Sequence, residues 1–287
     1  MISTGNRRRI NMGDQFDKIA SQLLYTAAGE KLYARDFYEA LQQAGIRKGD
    51  ILFVHSDLTA FGKLALFNRR AFCQAFIDVL QASVGEQGTL ILPTFSYSFC
   101  KGVPYDVAHS PSTVGVLTEF FRQQPQVVRT RHPIFSAAIS GKLKEYFQLV
   151  GMGAFDCDSI FGKLHARQGK LLFLGVDMQV CTYIHYVEQM HGVPYRFIKT
   201  FPGIIKEGQR EELAEATYFV RHLDQNVQLD LSRFARHLCA SGRLKTIKIG
   251  QGSLMTVEAA ALYAEGCQLL DRDSYYFLKE IPIKGAP

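Results

Sequence analysis

Apolar residues recur along this chain with two alternating spacings, and the alternation predicts strands interleaved with helices. Over residues 34–44, Phe37, Leu41 and Ala44 lie three and four apart, the spacing of one buried helical face, and Gly45 follows as a helix stop. Residues 50–56 then form a short apolar run that ends in the polar pair His55 and Ser56, the pattern of a buried strand. Residues 69–83 return to the helical spacing through Phe72, Phe76, Val79 and Leu80, and residues 88–94 return to the buried strand. A strand over 134–140, a short helix over 159–167 and the apolar run 170–176 continue the series. Beyond Pro194 the pattern changes to an antiparallel hairpin, 196–205 and 212–220, and then to helices over 231–240 and 257–270 around an extended 244–257.

Strands alternating with helices predict a mainly parallel sheet covered on both faces, with the last third as a C-terminal α+β extension. No linker divides the chain, so residues 1–287 are read as one α/β domain with 1–15 as a mobile tail. In such folds ligands gather beyond the carboxyl ends of the strands. That rule singles out His55-Ser56-Asp57 and Pro93-Thr94-Phe95. The stretch Ser110-Pro-Ser-Thr-Val-Gly reads as a helix start with Ser110 or Ser112 as N-cap. Those serines either seat an anion at the helix terminus or simply cap it.

Composition narrows the functional classes. The chain has 47% hydrophobic and 21% charged residues, ordinary globular usage, and is long enough to need no disulfide or metal staple. The six cysteines are scattered without a Cys-x-x-Cys pair and read as reduced thiols, which points to the cytoplasm. No apolar run is long enough for a membrane span, and no apolar segment follows the early Arg7-Arg8-Arg9 as a signal peptide would require. That triplet is either part of a basic tail or an arm for nucleic acid. The remaining basic residues form no aromatic-interleaved patch, so a net charge of +6 favours a small anionic ligand over nucleic acid.

Chemistry concentrates in one segment. Thr182, His185 and Glu188 are spaced three apart after the 170–176 strand, so on a helix His185 can touch either neighbour. A histidine oriented by a carboxylate is a general base. The alternative is that Tyr183, Ile184 and Val187 form the buried face and Glu188 is solvated. His-Glu-x-x-His, Gly-x-Ser-x-Gly and P-loop signatures are absent, and no metal site is expected. His109, His132 and His165 are read as structural.

Seven segments occur in an order that resembles the aminoglycoside 3-N-acetyltransferase family. They include Val54-His-Ser-Asp-Leu-Thr-Ala-Phe-Gly, Gly88-Thr-Leu-Ile-Leu-Pro-Thr-Phe, Ser110-Pro-Ser-Thr-Val-Gly and Arg129-Thr-Arg-His-Pro-Ile-Phe-Ser. Asp158-Ser-Ile-Phe-Gly-Lys-Leu, Gly169-Lys-Leu-Leu-Phe-Leu-Gly-Val and Thr182-Tyr-Ile-His-Tyr-Val-Glu complete the series. The resemblance spans about residues 34–205 and implies a layered α/β/α sandwich that transfers acetyl from acetyl-CoA to an amine of an amino sugar or aminoglycoside. It implies His185 as the base, with Thr182 and Glu188 supporting it or facing substrate. It implies that His55, Ser56, Asp57 and Leu58, with Ser110 and Ser112, hold the pantetheine and phosphates of the donor. Asp57 stands where the family has a second serine, and 63–67 lacks the family's glycines.

Aminoglycosides are polycations, whereas this chain is net positive. The acidic residues near the expected site are Asp57, Asp106, Asp156, Asp158, Asp177 and Glu188. The overall field would repel a polycation and attract CoA and a nucleotide-linked amino sugar, so the reading favours N-acetylation of an amino sugar in general, such as a nucleotide sugar for a surface polysaccharide, with antibiotic resistance as one case. Two alternatives keep the same fold: a CoA-binding protein without transferase activity, and a thioester hydrolase. The expected partner is a small-molecule amine acceptor, with no nucleic acid or membrane, and a homodimer is an assembly the chain allows.

Overall fold

The computed structural model describes residues 19–65 and 68–283; the Arg7–Arg9 triplet and Leu66–Phe67 lie outside them. In chain order the elements are β1 (Leu23–Ala27), β2 (Glu30–Tyr33), α1 (Ala34–Gln43), β3 (Ile51–Ser56), β4 (Lys63–Leu64) and α2 (Arg69–Val84). Then follow β5 (Thr89–Pro93), β6 (Tyr105–Asp106), α3 (Val116–Arg122), β7 (Val128–Arg129), β8 (Ala137–Gly141), α4 (Lys144–Gln148), α5 (Ile160–Ala166) and β9 (Lys170–Leu174). The chain continues through α6 (Ile184–His191), β10 (Arg196–Glu207), β11 (Arg210–Arg221), α7 (Ser232–Ala240), β12 (Lys245–Ile249), β13 (Gly252–Glu258) and α8 (Ala259–Arg272).

A seven-stranded sheet in the order β12-β13-β9-β3-β5-β8-β7 forms the middle layer. Strand period sets its two faces. On β3, Phe53 points into one core while Leu52 and Val54 point into the other; on β9, Leu171 and Phe173 oppose Leu172 and Leu174. The first core also holds Phe161 of α5, Val187 of α6, Phe234 of α7 and Leu262 of α8. The second holds Phe37 of α1, Phe76 of α2 and Leu117 of α3. The α/β/α layering expected from the alternation of elements is therefore present.

The pairing is mixed. β3 pairs in parallel with β5 and β9, so the three inner strands are the parallel sheet that the alternation predicts. The outer pairings, β5 with β8, β8 with β7, β9 with β13 and β13 with β12, are antiparallel. The extended 244–257 stretch thus corresponds to a hairpin that completes one end of the central sheet, while the long β10–β11 ribbon, paired to β6, and a small β2-β1-β4 sheet stand outside it. Burial alone does not distinguish a parallel partner from an antiparallel one when both faces are covered.

Strand ends position the site. Asp57 N–H, just past β3, donates to Leu174 O at the end of β9. Gly175 follows at φ 74°, and a Cβ there would lie 2.2 Å from Asp57 O. Only glycine lets the two chains approach this closely as they leave the sheet.

Two buried histidines strain this core at low pH. His55 is 6% exposed, stacks on Phe173 with centroids 5.6 Å apart, and has a buried Nε2 without a hydrogen-bond partner. His132 is 3% exposed, and its Nδ1 accepts the Phe135 N–H at 3.0 Å. Burial pushes each imidazole down to about 4. Each unfolded imidazole binds a proton near pH 6.5 and the folded one does not, so stability is present above pH 6.5 and is lost as pH falls towards 4. Each contributes about 3 kcal/mol to that loss. The midpoint of thermal unfolding is expected to be flat above neutrality and to fall steeply from pH 6.5 to 4. In His55→Phe the slope should be visibly shallower; an unchanged slope would show that His55 protonates freely in the folded state.

Candidate active site

Helix α6 begins after a short 3-10 turn, Met178–Val180, whose entry is fixed by Asp177 Oδ1 accepting the Gln179 N–H at 2.8 Å. It ends at Gly192 in the left-handed region, φ 83°, with Gly192 N–H donating to Glu188 O. Ile184 and Val187 are buried, with Tyr183 just before them, as one reading of the pattern expects. Glu188 is not solvated, however; its carboxylate is fully buried.

A buried carboxylate requires partners, and Glu188 has three. His185 Nδ1 lies 2.6 Å from Oε2, one helical turn away. Arg196 Nε, at the first residue of β10, lies 2.8 Å from the same oxygen, and Tyr195 O–H donates to Oε1 at 2.9 Å. Burial opposes ionisation of Glu188, but His185 and Arg196 outweigh it, so its carboxyl titrates below the ordinary glutamate value. Burial, reinforced by Arg196 and opposed by Glu188, holds the His185 imidazole below its ordinary value. At neutral pH the pair is therefore a carboxylate and a neutral imidazole. An ionised carboxylate only accepts, so Nδ1 carries the hydrogen and Nε2 presents a lone pair. The ring is 17% accessible and packs edge-on to Phe155, with centroids 5.3 Å apart.

Hydrophobic periodicity alone gives no sign of Arg196 or Tyr195. Arg196 is the first Arg or Lys after Glu188, and a carboxylate on a buried helical face needs a nearby cation. That requirement is the signal that would have found it. Thr182 meets His185 through its backbone. Its carbonyl accepts the His185 N–H at 3.1 Å, while its hydroxyl turns to Val180 O at 3.5 Å.

The end of β3 borders a cavity of about 500 Å³. Ser56, Asp57 and Leu58 line it, together with Arg69 and Phe72 of α2 and Leu117 of α3. Asp57 Oδ1 accepts the Thr59 N–H at 2.9 Å, a local turn that shapes the rim, and Tyr25 O–H fixes Leu58 O at 2.6 Å. His55 points to the opposite face of the sheet, against Phe173, and does not line this cavity.

Ser110 and Ser112 differ from the expectation more sharply. Neither caps a helix: α3 starts at Val116, and its N-cap is Gly115 at φ 139°. Ser110 Oγ accepts the Asp106 N–H at 2.9 Å, and its carbonyl accepts from Arg129 Nη1 at 2.5 Å. Ser112 Oγ shares a hydrogen bond with Thr118 Oγ1 at 2.8 Å. Local backbone and side-chain partners hold both serines, and Gly115, the N-cap, with Val116 and Leu117 of α3 line the cavity.

Residues 53–271 match the family model described as aminoglycoside 3-N-acetyltransferase. The chain is 30% identical over 200 residues to the SPbeta prophage-derived aminoglycoside N(3')-acetyltransferase-like protein YokD of Bacillus subtilis (strain 168), covering 60% of this chain and 70% of that protein. The aminoglycoside N(3)-acetyltransferase IV of Salmonella sp is 31% identical over 163 residues, covering 54% of this chain and 58% of that protein. The apoenzyme of aminoglycoside acetyltransferase AAC(3)-IVa superposes with a TM-score of 0.69 at 25% identity, covering 86% of this chain and 91% of that one. AAC-IIIb in a binary complex with CoASH shares the fold, with a TM-score of 0.70 at 24% identity over 87% and 98% of the two chains. With residues 53–271, most of the chain, matched by the family model, this chain belongs to the aminoglycoside 3-N-acetyltransferase family.

Proposed function

We propose that the protein is an acetyl-CoA-dependent N-acetyltransferase acting on an amine of an amino sugar, with His185 as the general base. The carrying observation is the neutral imidazole anchored through Nδ1 to the buried Glu188. Membership of the family and the likeness to a protein solved with CoASH support acetyl-CoA as donor.

The cavity beside β3 suits that donor chemically. Leu58, Phe72 and Leu117 offer an apolar wall for the carbon chain of a pantetheine arm, Ser56 and Thr59 offer hydroxyls for its amides, and Arg69 offers a cation for phosphate. Its volume of about 500 Å³ is in the range of small-molecule sites. When bound, acetyl-CoA supplies an acyl thioester, whose C–S bond breaks as the amide N–C bond forms.

His185 Nε2 takes the proton that the amine must lose, and Nδ1–H stays on Glu188 throughout. Arg196 keeps Glu188 ionised, so the carboxylate stabilises the imidazolium that forms. Tyr195 fills the other carboxylate oxygen and fixes its orientation. Cys181 is fully buried with its thiol pushed up to about 12, which leaves it no role as a nucleophile.

His185→Ala is expected to lower kcat by roughly 10²–10⁴-fold in amine-dependent CoA release. The acid limb of kcat/KM in the native enzyme should lie below the ordinary imidazole value, because the folded base sheds its proton more readily. A limb at or above 6.5 that stays fixed while the acceptor's own amine pKa is varied would remove His185 from the role. Glu188→Gln should also destabilise the fold by about 3–5 kcal/mol, since it leaves Arg196 buried and unpaired; chemical denaturation measures this. For the donor, Leu58→Ala with Arg69→Ala should raise the KM for acetyl-CoA roughly tenfold, equivalent to about 1.4 kcal/mol. No change in that KM would place the donor elsewhere.

A further inference from the structure

An aromatic wall continues from the base. Phe155, against the His185 ring, also packs on Tyr218 at 5.9 Å between centroids and on Phe135 at 4.8 Å. Phe135 in turn contacts Tyr97 at 5.4 Å and Tyr218 at 4.9 Å. Tyr97 sits at φ 53°, a left-handed conformation costly for a non-glycine residue, in the loop after β5. Both tyrosines remain partly exposed beside the partly exposed His185.

The charges on this wall are cationic. Lys199 lies directly across the β10–β11 ladder from Tyr218, which puts both side chains on one face of the ribbon. Its Nζ sits 5.1 Å from the Phe201 ring centroid. Lys101 Nζ donates to Ser96 O at 3.1 Å, next to Tyr97. Both lysines are exposed and both act on the Cys100 thiol between them.

Most carboxylates nearby are paired with cations, bonded within their own loop or turned to the other face. Glu188 is buried between His185 and Arg196. Glu207 and Glu212 pair with Arg131, and Glu211 pairs with Lys206. Glu215, three residues from Tyr218, lies on the opposite face of the ribbon. Asp156 accepts the Asp158 N–H within its own loop at 3.0 Å and acts on Tyr186.

We infer that the acceptor is a phosphate-bearing amino sugar whose ring stacks on the Tyr97–Tyr218 wall and whose phosphate is read by Lys101 and Lys199. A sugar ring lies well on an aromatic face, and two exposed lysines attract phosphate while repelling a polycation. This deepens the transferase reading and rests on it.

The test uses the full chain with acetyl-CoA and four acceptors: glucosamine 1-phosphate, UDP-glucosamine, methyl glucosaminide and gentamicin. The two phosphate compounds should show the highest kcat/KM, and the ranking between them distinguishes a sugar phosphate from a sugar nucleotide. In K101E/K199E their kcat/KM should fall roughly tenfold or more, that of gentamicin should rise, and that of methyl glucosaminide should hold. The milder K101Q/K199Q pair should give an intermediate loss, and thermal unfolding should confirm that both variants are folded. Gentamicin as the best acceptor, or a ranking indifferent to charge reversal, overturns the inference and leaves the transferase reading standing. Acetylation of none of the four amines overturns both.

Discussion

A single carboxylate taken out of water organises this site. Glu188 has no solvent to stabilise its charge, so the fold must provide a cation, a hydroxyl and an imidazole at fixed positions. These come from two elements. His185 shares the helix, whereas Tyr195 and Arg196 stand where the chain enters the ribbon after Gly192 and Pro194. The network therefore ties the end of α6 to the start of β10. The cost of removing any one partner is set by the charge it would leave behind.

The central sheet separates two tasks. One core backs the cavity at the end of β3, between α2 and α3. The other backs α6 and the aromatic residues around the base. Under the proposed reading, the donor and acceptor surfaces belong to different layers and meet only over the strand ends. The narrow approach of Asp57 to Gly175 is part of that meeting place.

Periodicity made the helices and the inner strands readable. Phe37 and Leu41 mark α1, Phe72 and Phe76 mark α2, and the unbroken apolar runs of β3, β5 and β9 mark the parallel centre. The i, i+3 spacing brought out His185 and Glu188 because a helix makes such residues neighbours without help from the fold. Partners from other elements leave no such trace. Arg196 reaches Glu188 across a turn, and β13 joins β9 antiparallel from more than seventy residues away in the chain. Ser110 and Ser112 carry the composition of a helix cap, but the nearby Asp106 and Thr118 offered other hydrogen bonds and α3 began later.

The β10–β11 ribbon has a consequence for how this enzyme can change over time. Arg196, Lys199 and Phe201 occupy a fixed ladder against Arg221, Tyr218 and Ala216. Adding or deleting one residue within either strand would turn every later side chain to the other face and break the alignment between the base and the wall beside it. Length variation is therefore confined to the ribbon tip at Glu207–Arg210, far from Arg196. Diversification of what this face recognises must proceed by exchanging side chains at constant length.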